Sequence, residues 1–195
     1  MFASAFSAAI SGMEVHLIKV EADVSDGLPS FTMVGLPSTQ VKEAQDRVRT
    51  ALKNNGIALP PKRITVNLAP ADIRKEGAGF DLPLAAAVLA AAGVLSAAQL
   101  GNVMMAGEIG LNGEIHAVSG ILPMIIRARE EKCRFCVVPY DNLREAHLIP
   151  DMKVIGVSNL QEMIRYVGAP DSYKKAVETK RKEKHENSVD FCEIH

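Results

Sequence analysis

The stretch RKEGAGFDLPLAAAVLAAAG, Arg74 to Gly93, joins a Gly-Ala-Gly bend to an almost wholly apolar run. Such a bend can cradle a phosphate, expose a nucleophile at a helix start, or let backbone pack closely. A Walker-type phosphate loop needs a lysine and a hydroxyl after its glycines. Neither follows Gly79, and Glu76 and Asp81 flank the bend with negative charge. A backbone role for Gly77 and Gly79, through positive φ or close packing, is the expectation. CRFC, with Cys133 and Cys136, has half the spacing of a zinc site, but no second Cys/His pair with ligand spacing accompanies it. Cys136 falls inside an apolar run, so both thiols are read as small buried hydrophobes. The five histidines are scattered, and no metal cluster is expected.

The remaining chemistry is charge. Between Lys42 and Lys75 stand eight cations (Lys42, Arg47, Arg49, Lys53, Lys62, Arg63, Arg74, Lys75) against three acids (Glu43, Asp46, Asp72). Lys42, Arg49 and Lys53 fall on one helical face, where Asp46 can pair with both Lys42 and Arg49. Two readings follow: a solvated, salt-laced helix, or a weak surface for nucleic-acid phosphates. In the second, Arg63, Arg74 and Lys75 join Lys42, Arg49 and Lys53 as phosphate contacts. The tail run KKAVETKRKEK reads as a solvated linker.

These residues need elements to hold them. LPSTQVKEAQDRVRTALKNNG predicts a helix capped by Ser38, with Val41, Ala44, Val48, Ala51 and Leu52 on its apolar face and Asn55-Gly56 as its stop. Phe2–Ile10, Val15–Val24, Ser30–Val34 and Ile64–Leu68 read as strands. The apolar run from Leu82 begins a buried helix in which Pro83 is tolerable because it lies in the first turn. NVMMAGEIGLNGEIHAV predicts a hairpin with a two-residue Asn112-Gly113 turn. Helix, strand, short helix, strand and helix follow through Gly168, an α+β or α/β pattern. From Ala169 the composition turns charged and poor in apolar residues, which predicts a linker over 169–195 after one domain over 1–168.

Composition restricts the class. With 195 residues, 48% hydrophobic and 23% charged, the chain can bury one substantial core. A net charge of −1 gives no global pull towards nucleic acid or membrane. The longest apolar run, Leu82–Leu95, falls short of the ~20 residues of a membrane span. Three cysteines without a paired array, and a start lacking a basic segment, suit a cytoplasmic protein.

Three stretches, LPSTQVKEAQDRVRTALKNNG, ITVNLAPADIRKEGAGFDLPLA and GEIGLNGEIHAVSGILPMI, resemble the N-terminal domain of the magnesium-chelatase-like AAA+ proteins, the bacterial YifB/ComM family. The resemblance covers about residues 1–167. It implies the fold of the Lon proteolytic domain and of the C-terminal domain of the repair protein RadA. That fold is an α+β two-layer sandwich of the ribosomal-protein second-domain type.

In Lon-type proteases a Ser at the corresponding turn is activated by a Lys after the hairpin. Laying that pattern on this chain puts Gly79 and Leu122 at the two positions, so the resemblance implies no catalytic residue. It further implies an AAA+ module beyond the chain, introduced by the lead-in that VDFCEIH resembles. ATP and magnesium would be bound there, with no cofactor in this domain. The implied partners are that AAA+ domain, further copies of the chain in a homo-oligomer of six, and DNA, with no membrane. Three functions are weighed. The first is a scaffold or DNA-engaging domain of a branch-migration motor in natural transformation. The second is a Lon-like peptidase, and the third an assembly subunit of a metal chelatase.

Overall fold

Strands β1 (Phe2–Ser11) and β2 (Glu14–Ser25) form a long antiparallel pair at the centre of the computed structural model, which describes residues 1–173. On one side β4 (Arg63–Ala69) runs antiparallel to β2, and β3 (Ser30–Val34) closes that edge parallel to β4. On the other side β5 (Val103–Met105), β8 (Phe135–Pro139) and β9 (Val154–Val157) continue in parallel from β1. The order is β3-β4-β2-β1-β5-β8-β9. A two-stranded ribbon of β6 (Glu108–Ile109) and β7 (Ile115–His116) stands apart from it.

Alternation along the strands sorts side chains between two cores. Ile18, Val20 and Ala22, with Ile64, Val66 and Leu68, face α1 (Thr39–Asn54) and α2 (Asp81–Ala91). In β8, Phe135 and Val137 join that core, while Cys136 and Val138 face α4 (Ile121–Glu130) on the other side. A strand buried on both faces reads as an unbroken apolar run, as FCVVP does.

The short helices α3 (Ala97–Leu100) and α6 (Leu160–Gly168) complete the first layer, and α5 (Leu143–Ala146) joins α4. The fold is the expected α+β arrangement, two layers deep over β3 and β4. Over β1, the start of β2 and the parallel strands, α4 and α5 cover the second face.

Helix α2 explains the composition of its segment. All eleven of its residues are buried, and a helix apolar all round belongs inside a core. Its alanines let it lie close on β1 and β2 beneath α1. Helix α1 is amphipathic as expected. Its five apolar positions are buried, and the Ser38 hydroxyl accepts from the Val41 N–H at 3.4 Å.

Two expectations fail around the hairpin. Val103–Met105 does not belong to it but enters the main sheet between β1 and β8. The turn is not a two-residue Asn112-Gly113 loop. Gly113 N–H donates to Gly110 O at 2.8 Å, so Leu111 and Asn112 are central, and Gly113 follows with φ 88°. That is a longer connection closed by a left-handed glycine. It is held in place from outside: Asn54 and Asn55 at the end of α1 donate to Leu111 O (2.8 Å) and Asn112 O (2.9 Å).

Packing continues past the expected boundary at 168. Asp171 pairs with Lys153 at 3.3 Å, and Tyr173 meets Tyr166 edge-on with ring centres 5.2 Å apart. Cys192, the Lys174–Lys184 cluster and VDFCEIH lie outside the described residues.

Candidate functional site

The bend sits where the end of β4, the start of α1 and the hairpin converge. Gly77 has φ 83°, a conformation that glycine adopts freely, and leads through a 3-10 turn (Ala78–Phe80) into α2. Gly79 departs from the expected backbone role. Its φ is outside the left-handed region, and an added Cβ would meet only Val118 Cγ2, at 3.9 Å. The turn is stitched to the β5–β6 connection by Gly107 N–H to Gly79 O and Leu82 N–H to Gly107 O, both 3.0 Å.

Asp81, fully buried at the first position of α2, is the chief polar group here. Arg47 of α1 grips it with both ends of its fork, Nε to Oδ2 at 2.8 Å and Nη2 to Oδ1 at 2.9 Å. The Ile109 N–H adds a third bond at 3.1 Å, so one carboxylate ties α1, α2 and the hairpin together. Burial pushes the Asp81 carboxyl above its ordinary value, while Arg47 and the Ile109 N–H act against that shift. Arg47 itself is raised by its hydrogen bonds to Asp81.

A nucleotide phosphate does not fit this helix start. A carboxylate is buried at it, the Leu82 N–H is already donated, and the adjacent guanidinium is already matched by Asp81. Sequence reasoning saw Asp81 only as a flanking charge and Arg47 as one surface cation of eight. The missed signal was an acid heading an otherwise apolar helix, which requires a partner.

The other position of the dyad pattern, Leu122, is half-buried in the first turn of α4. Just before it Gly120 has φ 80°, and a Cβ there would lie 2.5 Å from Ile10 Cδ1. Gly35 is tighter still, with φ 95° and Leu68 O at 2.2 Å from a Cβ. These two glycines carry the close approaches that were expected at Gly79.

The expected phosphate contacts do not form one patch. Lys75 is a correction: it is fully buried, and its ammonium donates to Gly35 O at 2.8 Å and to Pro70 O. Its ammonium thus clamps two loops, and burial lowers its pKa. Arg74 is exposed and paired with Glu76 at 2.9 Å. Arg63 is exposed at the start of β4, where alternation with buried Ile64 turns it to the sheet face opposite α1.

Lys42, Arg49 and Lys53 line the exposed side of α1. The expected pairing of Asp46 with Lys42 and Arg49 is not formed. Among the described residues none of these four groups makes an ion pair, and Glu43 reaches Arg47 instead, at 3.6 Å. Both CRFC thiols are buried, with Cys133 pushed up to about 11 by desolvation and Cys136 raised further. Neither has the lowered pKa of a reactive thiol.

Residues 20–142, which hold α1, the bend, α2, the hairpin and the start of β8's following turn, match the family model described as subunit ChlI of Mg-chelatase. The chain belongs to this family. It is 38% identical over 186 residues to the competence protein ComM of Haemophilus influenzae, covering 95% of this chain and 36% of that protein. YifB of Escherichia coli is 42% identical over 156 residues, 80% of this chain and 31% of that protein. YifB of Salmonella typhimurium is 40% identical over the same length and shares. This Mg-chelatase-like chain thus spans about a third of the length of the curated relatives it matches. Every element of the Arg47–Asp81–Ile109 junction lies within the matched residues, and so does the α1 cation row.

Proposed function

We propose that this is the non-catalytic N-terminal scaffold and DNA-engaging domain of a Mg-chelatase-like AAA+ ATPase. Its longer parent would act as a DNA-remodelling, branch-migrating ring in the cytoplasm. The carrying observation is the state of the bend. Gly79 offers no hydroxyl, Leu122 no amine, and the polar groups at the α2 start are engaged with each other. A peptidase needs a nucleophile with a base in reach, and neither position supplies one. A metal-chelatase role finds no support in a clustered donor set among the described residues.

The competence name of the Haemophilus relative supports the DNA reading. The row Lys42, Arg49 and Lys53, unpaired among the described residues, gives it a surface. One domain presents three such charges, so alone it binds weakly. Six copies in a ring would repeat the row and gain avidity without new contacts. ATP and magnesium would belong to the AAA+ module of the parent.

The test uses the full-length parent. Lys42→Glu, Arg49→Glu and Lys53→Glu together should weaken duplex binding and flatten the slope of log K against log salt by about 0.9 per lost contact. Ring assembly and ATP turnover without DNA should be unchanged. Unaltered affinity and slope would reduce the row to a solvated face. Casein cleavage by the repurified 195-residue chain would instead restore the peptidase reading.

A further inference from the structure

The two edges of the main sheet are finished differently. At β9 all four residues are buried, and Tyr173 packs edge-on against Tyr166 of α6. At the other edge, β3 pairs on one side only, with β4. Edge strands are usually blunted by charge, an internal proline or a bulge. Ser-Phe-Thr-Met-Val has none of these, and the whole stretch from Gly27 to Ser38, GLPSFTMVGLPS, carries no charge. Thr32 is exposed, and Leu28, Val34 and Leu36 are 84%, 46% and 53% exposed.

We infer that β3 is a self-pairing edge, and that its partner is β3 of a second copy, antiparallel about a twofold axis through Thr32. The register favours this occupant. Centring on Thr32 sets Phe31 opposite the partner's Met33 on the helix side, where both already pack against the core. It sets Ser30 opposite the partner's Val34 on the open face. No like charges meet, and an apolar or sulfur–aromatic pair falls at each inward position.

Pro29 and Pro37 end the ladder on both sides, which limits it to the five residues of the strand. Two loops held by Gly35 and Lys75 fix the strand's exit, so the edge is rigid before it pairs. A twofold contact closes on itself and yields dimers, not filaments. A five-residue ladder lies at the small end of specific interfaces, below about 1,200 Å², so a Kd on the order of 10–100 μM is expected.

Because Thr32 meets its own copy, position 32 offers a charge-swap test by sedimentation of the 195-residue chain from about 10 μM to 1 mM. Thr32→Lys and Thr32→Glu should each be monomeric across that range, since like charges would stand directly opposite. An equimolar mixture of the two should recover the dimer. With Cys192→Ser in the same chain, Thr32→Cys should form a covalent dimer under mild oxidation, and Cys192→Ser alone should not. That arm still reads out if either charged variant folds poorly. A chain monomeric throughout, a dimer indifferent to charge at position 32, or a mixture that stays monomeric would each overturn the inference.

Discussion

Removing the guanidinium of Arg47 tests whether the Asp81 junction stabilises the fold. Arg47→Met keeps the length and apolar stem of the side chain but leaves a fully buried carboxylate with only the Ile109 N–H. Stranding one partner of a buried pair costs about 3–5 kcal/mol. In a domain of this size that lowers Tm by about 6–20 °C.

The sign with pH follows from burial. Burial raises the Asp81 pKa, and without Arg47 nothing of comparable strength opposes it. The folded variant therefore holds a proton that the unfolded chain releases. Its stability is greatest below the ordinary aspartate pKa and falls as pH rises through the raised one. The deficit against the parent chain should thus be smallest in acid and widen towards neutrality in urea titrations. Adding Asp81→Asn to Arg47→Met should recover much of the loss, because the stranded charge is gone. A single-variant cost below about 1 kcal/mol, or no rescue by the second change, would refute the argument that this acid is desolvated and dependent on Arg47.

What could be read in the sequence was local. The α1 stripe, its Ser38 cap, the strands with period-2 burial and the Ala-rich α2 all declare themselves within a few residues. Membership of the family was legible for the same reason, since the quoted stretches are contiguous. What escaped was set by partners far along the chain. Val103–Met105 has strand chemistry but no local sign that its neighbours are β1 and β8 rather than the next hairpin arm. Lys75 stands beside Arg74 in sequence, yet one is fully buried and the other exposed, because Gly35 and Pro70 carbonyls receive only the former. The basic stretch looked like one patch because eight cations lie within 34 residues. Folding sends Arg47 inward, buries Lys75 and puts Arg63 on the far face of the sheet. Spacing along a chain reports a surface only within one element, which is why the α1 row survives as a group.

Two further expectations test the site's packing and charge. Gly35→Ala should cost at least about 2–3 kcal/mol, because a Cβ would meet the Leu68 carbonyl in a backbone region closed to alanine. Gly79→Ala should stay within about 0.5 kcal/mol, as expected of a position with room for a methyl group. Parallel thermal melts of the two variants check both, and equal losses would refute the assignment of strain to Gly35. The second concerns Glu21 on the open sheet face. Lys19 at 2.9 Å and the Asn67 amide at 2.9 Å hydrogen-bond its carboxylate and hold its pKa below the ordinary glutamate value, with partial burial opposing them. A lowered folded pKa means that the unfolded chain binds the proton first, so the stabilisation is complete above the unfolded pKa. It is lost as pH falls through the folded one. Glu21→Gln has no such titration, so the parent should be the more stable at neutral pH and the gap should close in acid. Parallel pH profiles for the two chains would show that the Lys19–Glu21–Asn67 contacts carry no net charge stabilisation.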